Sequence, residues 1–181
     1  DLIKTVKEVS GKNMDWFFEQ YIFSPGHPVF EVMKSWNEST KKLTITIHQK
    51  QDSASGVPVY TLPVNFGFHF PDKKIIKEVW LKNKLEKFEF EFASEPLLVR
   101  FDEGNWLLKE ITFKKSVKEL IYQAQNDDMI GRLTAVNELG SYSTEKSARE
   151  VWSKLAILDT FWAVRQAALE NIGKYPDESS V

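Results

Sequence analysis

The amino-acid sequence predicts a mixed, multi-domain chain: short amino-terminal helices, then an antiparallel β-sandwich, then α-helical repeats. Three observations carry this prediction. Apolar residues recur at helical spacing up to about residue 26, alternate with polar residues from about 29 to 113, and return to helical spacing from 115 onward. We therefore expect domains at 1–26, 27–114 and 115–181.

Two short helices are expected first. Apolar side chains at helical spacing over residues 3–9 predict one helix, which Gly11 interrupts. Asn13 is placed to cap a second helix that is rich in aromatic residues. Residues 24–28 contain two prolines and a glycine, so this helix should end there.

The middle of the chain predicts about six strands, most clearly where apolar and polar residues alternate over 60–70. Polar turn clusters separate the strands, and none is long enough to hold a helical crossover, so we expect antiparallel pairing. Strands with one apolar and one polar face pack as a two-layer sandwich. Because Pro63 lacks a backbone donor, its strand should lie at a sheet edge or carry a bulge.

The last third contains an internal repeat at an offset of 33 residues, typical of stacked helix pairs. The arginine in each copy, with Asp127, Asp128 or Asp159 as possible partners, indicates a HEAT-like array. Two copies are visible and residues 176–181 show no recognisable cap, so we expect the array to continue in a longer protein. The matching residues are Arg132, Ala135, Leu139, Gly140 and Tyr142, which recur as Arg165, Ala168, Ile172, Gly173 and Tyr175.

Composition excludes several classes of function. The 24 basic and 26 acidic side chains give a net charge of −2, so there is no basic excess for binding nucleic acid. The absence of cysteine excludes disulfides and thiolate sites but leaves the compartment open. No apolar run approaches the roughly 20 residues that a membrane span needs. The chain starts at Asp1 without an initiator Met, so we expect it to be part of a longer protein.

The sequence contains no recognisable catalytic or metal-binding motif. His27, His48 and His69 have no metal-binding spacing; His48 and His69 fall on polar strand faces as surface residues, and His27 should bond to local backbone. No nucleophile motif and no glycine-rich phosphate loop occurs. We therefore expect no catalytic, cofactor-binding or metal-ligating residue in this chain.

Other polar and aromatic groups have structural interpretations. Glu89 and Glu91 should cover the wet face of a strand, and residues 102–105 are predicted to form a turn rather than a calcium loop. Two readings stay open for the tryptophans of this region, a sugar-binding platform and burial at seams between domains. These tryptophans are Trp36, Trp80 and Trp106.

Residues 9–21, followed by Gly-His-Pro at 26–28, resemble the end of the catalytic domain in the aminopeptidase N family of gluzincin zinc metallopeptidases. Tyr21 stands where that family usually has Trp. Leu-Pro-Val at 62–64, and Val-Arg-Phe-Asp-Glu at 99–103 followed by Leu-Leu-Lys, look like the sandwich domain of the family. The repeats, with Arg-Leu-Thr-Ala at 132–135 and a matching run over 161–168, are similar to the start of its HEAT-like carboxyl-terminal domain.

The resemblance implies a non-catalytic accessory region, because the zinc-binding and substrate-amine motifs of the family are absent from these 181 residues. Zinc would belong to the catalytic domain of a peptide-cleaving parent protein. The upstream catalytic domain would pack on an exposed apolar patch at Trp16, Phe17 and Tyr21, while the sandwich braces it and the helices wall the substrate chamber. Two alternatives remain. One is a protein-binding scaffold from an inactive relative, such as a transcription-factor-complex subunit, and the other is a carbohydrate- or peptide-binding sandwich.

Overall fold

The computed structural model describes residues 2–175, with the backbone alone at Ser53, and shows a mixed α and β chain. That range holds six α-helices, seven strands and two single-turn 3₁₀ helices, one strand more than the sequence predicts. The helices are α1 (Leu2–Ser10), α2 (Asp15–Tyr21), α3 (Val117–Asn126), α4 (Met129–Glu138), α5 (Lys146–Leu158) and α6 (Trp162–Lys174). The strands are β1 (Val29–Asn37), β2 (Lys42–Gln49), β3 (Leu62–His69), β4 (Lys74–Leu81), β5 (Leu85–Glu91), β6 (Leu98–Phe101) and β7 (Glu110–Phe113), and the 3₁₀ helices are Ser53–Ser55 and Leu139–Tyr142.

The contacts divide the chain into two compact units. The first comprises the chain up to Gly67, together with Lys74–Glu95 and Arg100–Lys114, and so contains α1, α2 and most of the strands. The second comprises Phe68–Lys73, Pro96–Val99 and the chain from Lys115 onward. The division into three domains stays a prediction, and its residues 176–181 lie outside the described part. Among the described residues, no helix has both the length and the apolar character to cross a membrane.

The two amino-terminal helices form where the sequence predicts them. Gly11 has a φ of 67° and its N–H donates to Lys7 O at 2.9 Å, which ends α1 in the left-handed conformation that glycine tolerates. At the start of α2 the N-cap position is Met14 rather than Asn13. Asn13 still binds the first turn, because its Oδ1 accepts from Asp15 N–H at 2.8 Å.

The four-stranded sheet has the order β5-β2-β1-β7 and is mixed. β1 pairs with β2, and β2 with β5, in antiparallel fashion, but β1 and β7 are parallel, with Phe30 opposite Ile111. The prediction of entirely antiparallel pairing is therefore wrong at this edge. It assumed that a parallel pair needs a helical crossover, whereas here the intervening strands β2 to β6 form the connection.

The three-stranded sheet has the order β4-β3-β6, so β3 is its central strand. The edge position predicted for Pro63 is wrong, and the alternative of a bulge stays a prediction. Pro63 is accommodated near the start of β3, two residues before Asn65, whose C=O accepts from Glu103 N–H at 2.8 Å. The position at which Pro63 lacks a backbone N–H therefore comes before this hydrogen bond along the strand.

Aromatic side chains from both sheets share the core of the first unit. Phe66 on β3 lies 6.0 Å from Phe90 on β5 and 5.4 Å from Phe101 on β6, between ring centroids. Phe30 on β1 lies 5.0 Å from Phe101. Phe30 and Phe66 are fully buried, and each such side chain contributes about 2 kcal/mol by leaving water. A two-layer sandwich stays the interpretation of this packing.

The second unit is built from the helix pairs α3/α4 and α5/α6. Ser116 caps α3 by accepting from Glu119 N–H at 3.3 Å, and Asp128 caps α4 by accepting from Gly131 N–H at 2.7 Å. Trp152 is fully buried in the common core and donates from Nε1 to Val136 O at 3.1 Å. α4 and α6 begin 33 residues apart, the offset of the sequence repeat, while a HEAT-like classification stays a prediction.

Candidate functional site

The three histidines lie in three different environments. His27 Nε2 is 2.7 Å from Glu110 Oε1 on the surface, so its partner is a carboxylate and not the local backbone expected. His48 is half-buried on the polar face of β2, as expected. His69 is buried, with its ring 6.4 Å from that of Tyr122, so the prediction of a surface imidazole is wrong. The reason is that the last four residues of the central strand β3 are buried on both faces.

The carboxylates of β5 pair with neighbouring lysines on the polar face of the sheet. Lys42 Nζ is 3.9 Å from Glu89 Oε2 and 3.3 Å from Glu91 Oε1. The hydrogen bond from Lys87, with the charges of Lys87 and Lys42, lowers the pKa of Glu89. Because both glutamates are exposed, the prediction that they cover the wet face of a strand is confirmed.

Asp102 organises the turn that follows β6. Its carboxylate accepts from the N–H groups of Trp106 at 3.1 Å and Leu107 at 2.8 Å, and from Lys109 Nζ at 2.5 Å. Gly104 has a φ of 91°, and a Cβ there would collide with the Trp106 indole. The buried carboxylate thus stabilises a turn, as the sequence predicts, and both of its oxygens already accept hydrogen bonds.

The three tryptophans named as a possible platform have different surroundings within the first unit. Trp36 is half-buried on β1 and donates from Nε1 to Glu38 Oε2 at 2.7 Å. Trp80 on β4 contacts Trp16, with ring centroids 5.6 Å apart. Trp106 is 82% exposed. Of the three, Trp106 is therefore the one that presents most of its ring to solvent.

The aromatic residues of α2 are packed against this chain. Phe17 stacks on Tyr21 at 5.3 Å, Trp16 meets Trp80, and Tyr21 lies 5.2 Å from Tyr60. All three α2 side chains are half-buried rather than freely exposed. The prediction that they form an exposed patch therefore needs correction. Trp80 on β4 packs on Trp16, and Tyr60 before β3 packs on Tyr21. Phe17 packs on other rings of α2.

Other apolar side chains of the two amino-terminal helices are exposed instead. Phe23, just after α2, is 62% exposed, and Ile22 beside it is similarly open. On α1, Leu2 and Val9 are exposed, and no residue of that helix is buried. The apolar surface predicted for this region is thus supplied by different residues.

Two buried glutamines bind the backbone N–H and C=O groups of two consecutive residues. The sequence analysis did not single out either glutamine. Gln20 Oε1 accepts from Thr61 N–H, and Gln20 Nε2 donates to Thr61 O at 2.9 Å and to Trp16 O at 2.7 Å. Gln49 Oε1 accepts from Tyr60 N–H at 2.9 Å, and its Nε2 donates to Tyr60 O at 2.8 Å. The sequence did contain a signal for these buried amides, because one glutamine lies inside the aromatic run of α2 and the other on the apolar face of β2.

Tyr21 and Tyr60 carry buried hydroxyls that have no hydrogen-bond partner among the described groups. Burial raises the pKa of Tyr21 to about 12, with smaller contributions from Tyr60 and Asp102. Burial also raises the pKa of Tyr60. Both phenols therefore stay neutral across the physiological pH range.

Arg132 connects the two helix pairs of the second unit. Its Nε and Nη2 donate to Asp159 Oδ2 at 2.8 Å and Oδ1 at 3.0 Å, and its Nη1 donates to Asp127 O at 3.1 Å. Asp159 is thus the acidic partner expected for this arginine, while Asp128 caps α4. Burial alone would raise the pKa of Asp159, but hydrogen bonds from Arg132 and a backbone N–H, with nearby arginine charges, lower it.

Comparison with known proteins finds similarity in fold to solved structures. No protein-family model matches the sequence, and no curated protein does. The structure is similar to aminopeptidase A of Legionella pneumophila, solved in complex with aspartic acid, with a TM-score of 0.70 and 17% identity. The similarity covers 91% of this chain and 21% of that chain. The chain thus spans about one fifth of the length of that aminopeptidase, and its fold is similar to the fold of that segment.

Proposed function

We propose that this chain is a non-catalytic accessory region of a zinc-dependent aminopeptidase, which removes amino-terminal residues from peptides. The observation that supports this most strongly is the fold similarity to a segment of an aminopeptidase over 91% of the chain. It agrees with the resemblance that the sequence motifs carry, in the same order along the chain. In this proposal zinc is held by the parent's catalytic domain, and no residue of this chain is a metal ligand.

The polar groups of the first unit support an accessory role. Asp102 is occupied by its turn, and Gln20 and Gln49 bind backbone groups. Such contacts stiffen a domain and leave no free acid, base or nucleophile at these positions. A rigid unit of this kind is suited to bracing a catalytic domain.

The catalytic domain would pack on the surface of α1 and α2. Ile22 and Phe23 are exposed apolar residues directly after α2, close in the chain to the half-buried rings of Trp16, Phe17 and Tyr21. Apolar side chains grouped in this way are typical of a protein interface. The helix pairs of the second unit would form part of the wall of the substrate chamber, since stacked helix pairs build concave surfaces.

The proposal is tested by measuring the zinc-to-protein ratio and aminoacyl-reporter turnover for the parent protein and for this chain side by side. We expect zinc and turnover in the parent and neither in this chain. Turnover in this chain would overturn the accessory role. A parent without zinc and without turnover would favour the inactive scaffold. Saturable quenching of tryptophan fluorescence by glycans or peptides would favour a binding sandwich.

The bracing contact is tested with two surface variants of the parent. Phe23→Ser removes an exposed apolar side chain at the proposed interface, and Met33→Ser removes one from the outer face of β1. We expect Phe23→Ser to lower the thermal stability of the parent but not of this chain alone, and Met33→Ser to affect neither. Equal effects of the two variants would contradict the proposed packing.

A further inference from the structure

The internal repeat allows the surroundings of equivalent residues to be compared within one unit. α4 and α6 are equivalent helices at the 33-residue offset, and the ends of α3 and α5 correspond in the same way. The first pair is in contact with the second, whereas the described residues show no third pair beyond α5 and α6. A residue that the second pair covers can therefore be compared with its open counterpart.

Two apolar positions differ in the same direction. Val136 on α4 is fully buried, and its C=O accepts hydrogen bonds from Trp152 and Asn171 of the second pair. Its counterpart Leu169 is 58% exposed. Ala124 on α3 is likewise fully buried, while its counterpart Ile157 on α5 is 78% exposed. The second pair thus keeps large apolar residues at positions that are covered in the first.

The repeated glycines show the same difference. A Cβ on Gly140 would lie 3.4 Å from Asn171 Oδ1 and 3.6 Å from the Tyr175 ring, so the second pair approaches this glycine closely. A Cβ on the equivalent Gly173 would have nothing within 4 Å. A position suited to close helix approach is therefore open in the second copy.

The repeated arginines also differ in their surroundings. Arg132 uses Nε and Nη2 for the carboxylate of Asp159, which the second pair supplies. Arg165 donates from Nη1 to the carbonyl oxygens of Asp159 at 2.9 Å and Thr160 at 3.3 Å, which repeats the contact of Arg132 with Asp127 O. No described group accepts from Nε or Nη2 of Arg165, the edge that holds the carboxylate in the first copy.

We propose that a further helix pair of the same repeat binds the face formed by Ile157, Arg165, Leu169 and Gly173, here called the open face. A carboxylate of that helix pair accepts hydrogen bonds from Nε and Nη2 of Arg165. The apolar residues, the open glycine and the arginine fork each match a contact already made between the first two pairs. The inference rests on the repeat and does not depend on the proposed peptidase role.

The test appends a second copy of residues 143–175 directly after Tyr175, so that the copied Asp159 takes the position 33 residues after Asp159. The chain has no cysteine, so Leu169→Cys gives a single thiol on the open face and Val9→Cys a matched exposed thiol on α1. We expect the appended pair to slow maleimide labelling of the open-face thiol about tenfold or more, and to leave labelling of the α1 thiol unchanged. Asp159→Asn in the appended copy alone should restore much of the open-face labelling.

Each other outcome counts against the proposal. Added helix content without protection of the open-face thiol would show that the pair folds without using this face. Protection of that thiol in the unextended chain, together with a dimer in sedimentation, would make a second copy the occupant. A copy of residues 110–142 is tested in parallel, and failure of both extensions to add helix content would show that the face does not accept this repeat.

Discussion

The side-chain amide of Gln20 binds both backbone polar groups of Thr61, 41 residues away in the sequence. Gln49 does the same for the preceding residue, Tyr60. These two residues lie just before β3, where no neighbouring strand supplies their hydrogen bonds. The two glutamines thus act as short substitutes for a strand partner and attach α2 and β2 to the same segment.

Replacing Gln20 by leucine should destabilise the first unit. The change keeps most of the side-chain volume but leaves the N–H and C=O of Thr61 without their partners, which costs about 2–3 kcal/mol. Urea unfolding followed by circular dichroism measures the loss. Glu19→Leu, on the exposed side of the same helix, is the control and should stay within about 0.5 kcal/mol. Equal losses would contradict the role given to Gln20.

Removing the hydroxyl of Tyr60 should leave stability unchanged or raise it. Tyr60 is fully buried and its hydroxyl has no partner among the described groups, so Tyr60→Phe removes an unsatisfied polar atom and gains up to about 1 kcal/mol. Tyr142→Phe is the matched control, because the Tyr142 hydroxyl donates to Lys115 O at 2.8 Å and its loss should cost about 1 kcal/mol. Thermal unfolding distinguishes the two; a clear loss in Tyr60→Phe would indicate a buried partner such as water.

Tyr21 should make stability fall in alkaline solution. Its pKa is about 12 in the folded chain against 10.0 ordinarily, so above pH 10 the unfolded chain releases a proton that the folded chain retains. The contribution of Tyr21 is therefore present below pH 10 and is lost as the pH rises toward 12. Tyrosinate absorbance during an alkaline titration should show a late-ionising group that disappears in Tyr21→Phe. An unchanged titration curve would refute the assignment.

Asp159 should make the second unit sensitive to acid. Its pKa lies below the ordinary 3.8, so its stabilising contribution is present above that value and is lost as the pH falls through the folded-state pKa. Asp159→Asn leaves the fork of Arg132 without its carboxylate and should cost about 3 kcal/mol at neutral pH, with a weaker acid dependence. The control is Glu170→Gln, an exposed carboxylate on α6. The free energy of unfolding is measured by chemical denaturation at several pH values. Values for both variants equal to those of the unmutated chain would contradict the Arg132–Asp159 pair.

Asp102→Ala should loosen the turn that carries Trp106. The change removes the acceptor for two N–H groups and leaves the buried ammonium of Lys109 without its carboxylate, a loss of about 3 kcal/mol. It also places alanine at a φ of 58°, which adds about 1 kcal/mol. Hydrogen exchange at the amides of Trp106 and Leu107 should accelerate, while Asp72→Ala, at an exposed position, should leave it unchanged.

Sequence reasoning located most elements because their signals are local. The alternation over 60–70 predicted the strand found at β3, and the stop at residues 24–28 marked the end of α2. It misjudged His69 because alternation identifies faces without showing whether one or both are covered. It missed Gln20 and Gln49 because an amide that serves a distant backbone has no characteristic spacing.

The sequence by itself determined the order of helices and strands, the 33-residue repeat and the positions of its arginines, since periodicity and turn residues act over a few neighbours. Tertiary structure decided which groups meet. It placed β7 parallel to β1, brought Tyr21 to Tyr60, and selected Asp159 rather than Asp128 for Arg132. Those choices depend on contacts between residues far apart in the chain, and such contacts form only when the apolar faces that the sequence encodes are packed together.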